Sequence, residues 1–128
     1  MLGVKHQVDV AAPLASAYGF WTQFEDFPRF MDCVEEVRHL DDTHLHWRVR
    51  TGGVVHEWNA ELVEVRPDER IASRATDGFA CTEVVSFHPL DDAVTRVTVF
   101  AEVDDALESI VRGVERDLQC FKAMLESA

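Results

Sequence analysis

Two stretches of this sequence follow incompatible hydrophobic periods, and the switch between them constrains the fold more than any other feature. Between Val34 and Asp104 apolar and polar residues alternate in segments spanning 34–40, 44–51, 54–65, 70–76, 80–88 and 94–104, the pattern of half-buried strands. Turn-forming clusters separate them at Asp41-Asp42-Thr43, Thr51-Gly52-Gly53, Pro67-Asp68-Glu69, Asp77-Gly78 and Leu90-Asp91-Asp92. Connections this short join antiparallel neighbours, so the segments form a meander. From about Asp105 to Ser127 the period becomes helical, and Leu107, Ile110, Val111, Val114, Leu118, Phe121 and Leu125 make one apolar stripe. On the opposite face Glu108, Arg112, Glu115 and Arg116 stand at i,i+3 and i,i+4 spacing. About 22 residues of helix span roughly 33 Å, enough to cross the sheet.

The N-terminal part completes the pattern. Val4, His6, Val8 and Val10 alternate as a seventh strand. Ala12-Pro13 then opens a helix carrying Leu14, Ala17, Tyr18, Trp21 and Phe24, and a second short helical piece follows around Phe27-Pro28-Arg29-Phe30-Met31. The expected fold class is α+β over a single domain, residues 1–128. It has a curved seven-stranded antiparallel sheet, two short helices after the first strand and a long C-terminal helix.

Composition narrows the partners. Lys and Arg number 12 against 24 Asp and Glu, a formal net charge of −12. Such a surface repels phosphate backbones and anionic headgroups, so neither nucleic acid nor a membrane surface is an expected partner. No apolar run is long enough for a membrane span, and residues 1–12 lack the layout of a signal peptide. Cys33, Cys81 and Cys120 are an odd number at wide spacing, which fits reduced thiols in a cytoplasm. No GxSxG, P-loop or GxGxxG string occurs, so no cofactor is expected.

Strand alternation sorts side chains into two faces. Leu45, Trp47 and Val49 share the inward face of their strand, which sends His44, His46, Arg48 and Arg50 to solvent. The His44-x-His46 spacing is therefore not read as a metal site. On the following strands the inward sets are His56, Trp58, Ala60 and Leu62, then Ile71, Ser73 and Ala75, then Glu83, Val85 and Phe87, then Val97, Val99, Ala101 and Val103. Ala60, Ser73, Ala75 and Ala101 are small, and Val111 and Val114 on the facing helix are of medium size. Either a pocket remains between them, or Trp21, Trp47, Trp58, Phe100 or Phe121 fill it as close packing demands. Among inward residues His56 and Glu83 are polar, and a buried polar group needs a partner. They are the candidate acid/base pair.

The element order resembles the START-like or Bet v 1-like (SRPBCC) superfamily with its helix-grip fold, in the bacterial polyketide cyclase/dehydrase and lipid-transport branch. Local strings carry the same resemblance: Ala12-Pro13, Phe20-Trp21-Thr22, the run from Phe24 to Met31, Glu35-Glu36-Val37, Glu57-Trp58-Asn59-Ala60-Glu61 and Pro67-Asp68-Glu69-Arg70-Ile71. It implies a cavity between sheet and C-terminal helix that holds a hydrophobic small molecule of lipid, quinone, polyketide or aromatic type. Phe30, Trp47, His56, Trp58, Ala60, Ser73, Glu83, Ala101, Val114 and Leu118 are the expected lining. Aromatase/cyclases of this superfamily carry a tyrosine after the aromatic-Pro turn and an inward arginine on the Glu-Trp strand. Here these positions read Val34 and Leu62, which lowers the expectation of that enzymatic role. Three functions are thus open: a carrier, a cyclase, dehydratase or isomerase using His56 and Glu83, or an interaction module with Trp21, Phe27, Phe30 and Met31 as an exposed edge. Oligomeric state, monomer or homodimer, is left open.

Overall fold

The strands are β1 (Leu2–Val10), β2 (Val34–His39), β3 (His44–Thr51), β4 (Val54–Arg66), β5 (Arg70–Ala75), β6 (Cys81–Asp91) and β7 (Val94–Val103). The helices are α1 (Leu14–Trp21), α2 (Glu108–Val111) and α3 (Val114–Glu126), with 3-10 turns at Phe24–Arg29 and Asp105–Leu107. This computed structural model describes residues 2–78 and 80–127. The seven strands make one antiparallel sheet in the order β1-β7-β6-β5-β4-β3-β2.

Turn chemistry sets the pairing of consecutive strands. Gly52 and Gly53 have φ of 56° and 81°, the successive left-handed conformations that a two-residue hairpin between β3 and β4 requires. At the β2–β3 turn one Asp41 carboxylate oxygen accepts from the N–H groups of Thr43 and His44, each at 2.8 Å. Register shifts at Val34/Glu36, Leu62/Glu64 and Pro89/Asp91 insert bulges, which bend strands and raise their twist. The bent sheet presents a concave face to the helices.

The long C-terminal helix forms, with a tightened turn inside it. The Asp104 carboxylate accepts from the Ala106 N–H at 2.9 Å and starts a 3-10 turn, α2 follows, and Arg112-Gly113 continue in right-handed helical conformation into α3. Glycine favours the helix least among residues other than proline, and the Gly113 N–H bonds to the Ile110 carbonyl at 3.1 Å in a tightened i→i−3 turn. The far end of α3 is pinned to β1. Lys122 Nζ donates to the Asp9 carbonyl at 2.8 Å, and Glu126 Oε2 accepts from the Ala11 N–H at 2.7 Å.

Packing under α3 is uneven along its length. Trp21, Phe27, Phe30 and Phe121 form an aromatic cluster with Phe20, in which Trp21 and Phe121 meet edge to face at 5.0 Å between centroids. Trp21, Phe27 and Phe30 are 2%, 1% and 2% exposed. They are therefore core, and the exposed edge expected of an interaction module does not form. A separate small cluster of Val103, Leu107 and Val111 anchors the start of the helical segment to β7. The space between these two clusters is where the site lies.

Candidate functional site

In-register rows of residues cross the concave face of the sheet. One row runs Leu62, Ser73, Glu83, Ala101, Val4 across β4, β5, β6, β7 and β1, and a neighbouring row runs Leu45, Ala60, Ala75. Small Ser73 and Ala101 flank Glu83 in the first, and Ala60 and Ala75 lie side by side in the second. Opposite them the helical segment brings Ile110, Val111, Val114 and Leu118. The result is a cavity with about 80 Å³ open to the centres of water-sized spheres. At the ~10–15 Å³ that one water needs on this measure, it has room for several waters or the body of a small ligand.

Trp47 and Trp58 make one wall. They are directly paired across β3 and β4, with rings nearly parallel at 5° and centroids 5.9 Å apart. Ala60, Ser73 and Ala101 form the floor, Glu83 projects between Ser73 and Ala101, and Val114 and Leu118 form the roof. Two expected lining residues lie elsewhere. Phe30 points into the aromatic cluster against Phe27 and Phe121, and it is consumed in packing. His56 pairs across from Val49 near the turn end of β4 and is outside the lining, although Val49 and Trp58 belong to it. Phe100, a possible filler, is 42% exposed on the other face. The aromatics thus plug one end of the helix–sheet space and leave the other open.

Asp117 is the residue that strand reasoning missed. It lies between Val114 and Leu118 on α3 and lines the cavity with Glu83. An acidic residue inside an apolar stripe, three after Val114 and four before Phe121, was the available signal. Burial pushes the Glu83 carboxyl up to about 7, and the charge of Asp117 adds to the shift. Burial also raises Asp117 to about 6; Asp32 pushes the same way, against Arg116 and the Asp32 backbone N–H. The more deeply placed Glu83 therefore holds a proton first. Burial likewise pushes the Cys81 thiol up to about 12, which keeps the nucleophilic thiolate unformed near neutral pH.

The outer face of the sheet is polar and internally paired. His44 Nδ1 lies 2.9 Å from Asp41, and His46 contacts Asn59 and Glu57 at 2.7 and 3.1 Å. Arg74 reaches the cavity rim from β5, but its guanidinium is engaged by Glu61 at 3.1 Å. Among the described residues no group of three or more His, Cys, Asp or Glu is arranged to hold a metal ion, and no helix is long and apolar enough to cross a membrane.

Comparison with known proteins gives this architecture a family. An uncharacterized 17.2 kDa protein of Streptomyces lincolnensis, encoded in the melC2-rnhH intergenic region, is 39% identical over 98% of this chain and 91% of its own length. The Zhui aromatase/cyclase from Streptomyces sp. R1128 superposes with a TM-score of 0.87 at 17% identity, covering 98% of this chain and 93% of that one. A START superfamily protein from Mycobacterium smegmatis superposes with a TM-score of 0.80 at 17% identity, covering 98% and 97%. Residues 10–121 match the family model described as polyketide cyclase / dehydrase and lipid transport, and the chain belongs to that family.

Proposed function

We propose that this protein binds a hydrophobic small molecule, of lipid, quinone, polyketide or aromatic type, between its sheet and α3, and acts as a carrier or binding protein in the cytoplasm. The observation that carries this reading is the apolar cavity left by Ala60, Ala75 and Ala101 beneath Val114, walled by Trp47 and Trp58. Burial of apolar ligand surface there contributes about 25 cal/mol per Å², without any bond-making chemistry. The three cysteines are free, as a reducing compartment would leave them. Titration with the neutral fluorophore prodan tests the reading, with Ala101→Leu as the plugged control. Saturable binding that weakens at least tenfold in Ala101→Leu is expected. No saturable binding of prodan, together with no small molecule carried through native mass spectrometry, rejects the carrier reading.

A second reading rests on Glu83. A carboxyl with a pKa of about 7 in an apolar cavity is suited to general acid/base work on a bound ligand. His56 falls outside the lining, so Asp117 is the partner carboxyl in this version. Turnover of an aromatic polyketide precursor that survives Glu83→Gln unchanged would dismiss it.

A further inference from the structure

Apart from Arg74, whose guanidinium is engaged by Glu61 at 3.1 Å, the charged residues lining the cavity are both acidic. Glu83 and Asp117 both border it, from the sheet floor and the helix roof respectively. Glu83 forms no hydrogen bond with any described residue; its in-register neighbours are Ser73 and Ala101, too small to cover it. Its carboxyl sits at interior depth, and the accessible surface it retains is cavity wall. The charged and titratable groups around the pair are few. Cys81 stands two residues away on β6, Arg74 is held outside by Glu61, and Arg116 is drawn 3.2 Å from Asp32. Asp117 accepts from the Asp32 backbone N–H and feels the charge of Arg116, whereas Glu83 faces the cavity with no protein cation or donor of its own among the described residues.

A carboxylate facing a mostly apolar cavity is poorly solvated, and a second like charge across the same space raises the cost of ionising it. Each class of occupant meets this differently. An anionic ligand such as a fatty carboxylate adds a third negative charge. A carbonyl ligand accepts a hydrogen bond from one carboxyl in its protonated form and brings no positive charge to set against the other. An ammonium group brings up to three N–H donors and a positive charge, enough to serve both carboxylates at once. The net charge of −12 also draws cations toward the protein.

We infer that the cavity is built for an apolar molecule carrying a protonated amine, with Glu83 and Asp117 holding the ammonium and Trp47, Trp58 and Ala101 enclosing the apolar body. This rests on the cavity being a ligand site, and it specifies the occupant.

Three probes of equal chain length, 1-octylamine, 1-octanol and octanoate, separate the two claims. Calorimetric titration at pH 8 is expected to rank octylamine at least tenfold tighter than octanol, with octanoate weakest. In the Glu83→Gln/Asp117→Asn double variant the amine-to-alcohol ratio is expected to fall to within about twofold of unity. Thermal melting checks that the variant is folded, and Glu83→Gln alone, with a ratio reduced severalfold, serves if it is not. Octanol binding as tightly as octylamine to the unmodified protein overturns the amine assignment and leaves the cavity reading standing. A ratio that persists in a folded double variant overturns it too, by assigning the preference to the acidic surface. Failure of all three probes, with prodan also unbound, removes the cavity reading itself.

Discussion

Glu83 is the residue at which stability and site chemistry conflict. Its folded pKa of about 7 stands above the ordinary 4.5, so the folded chain binds the proton more tightly than the unfolded chain. Below pH 4.5 both states are protonated and the residue costs nothing by this route. As pH rises from 4.5 to 7 the folded state loses stability relative to the unfolded, by up to about 3 kcal/mol, and above 7 the full penalty is present. Asp117, raised to about 6 from 3.8, acts with the same sign over a lower window. Glu83→Gln removes the titration. Its melting temperature relative to the unmodified protein is therefore expected to rise by several degrees between pH 4.5 and pH 8. A difference that stays constant across that range would show that Glu83 is not held in a low-dielectric site. Half of the acidic pair was legible in sequence, because strand alternation put Glu83 inward between Ser73 and Ala101. Asp117 is absent from the sequence-derived candidates, although its spacing from Val114 and Phe121 puts it on the buried side of the helix. His56 stands across from the cavity-lining Val49 without lining the cavity itself, a distinction that alternation alone does not make.

Among the elements, five meander strands were legible to within a residue at each end, since each has one buried face and each turn its own chemistry, while the one read as 80–88 extends to Asp91 through a bulge at Pro89/Asp91. The segment read as 44–51 is β3 without change, and Gly52-Gly53 supplies the left-handed turn that ends it. Less legible was the place of β1. Its partner is β7, with Leu2 opposite Val103 and Val10 opposite Thr95, a pairing between chain ends that no local turn announces. The buried Thr95 reinforces it by donating to the Ala12 carbonyl at 2.9 Å, a link from β7 to the entry of α1. The tightened turn at Gly113 was hidden for a related reason. An apolar stripe reads the same whether the turns beneath it are α or 3-10, and Ile110, Val111 and Val114 keep the same face across it. The turn between α2 and α3 matters for the site, because these residues roof the cavity while α3 alone is tied to β1 through Lys122 and Glu126.

Across the whole molecule, one end of the helix–sheet interface is filled and the other hollow, and the two ends answer to different demands. Phe121 is fully buried in the aromatic cluster, and Trp21 lies against it. Truncating a buried phenylalanine loses its transfer free energy and leaves a void, so Phe121→Ala is expected to cost about 3–5 kcal/mol of unfolding free energy. At the hollow end the sign reverses. Ala60 is buried between Leu45 and Ala75, facing open space beneath the helix, so a larger side chain there gains contacts without displacing any. Ala60→Val adds two methylene equivalents at about 0.8 kcal/mol each, and an increase of roughly 1 kcal/mol in stability is expected after strain and the valine rotamer cost. The same change takes volume from the ligand and is expected to weaken prodan binding severalfold. Urea unfolding and dye titration on the two variants test both expectations together. If Ala60→Val destabilised the fold by as much as 2 kcal/mol, the space above Ala60 would already be occupied by side chains, and the hollow end would be core like the rest.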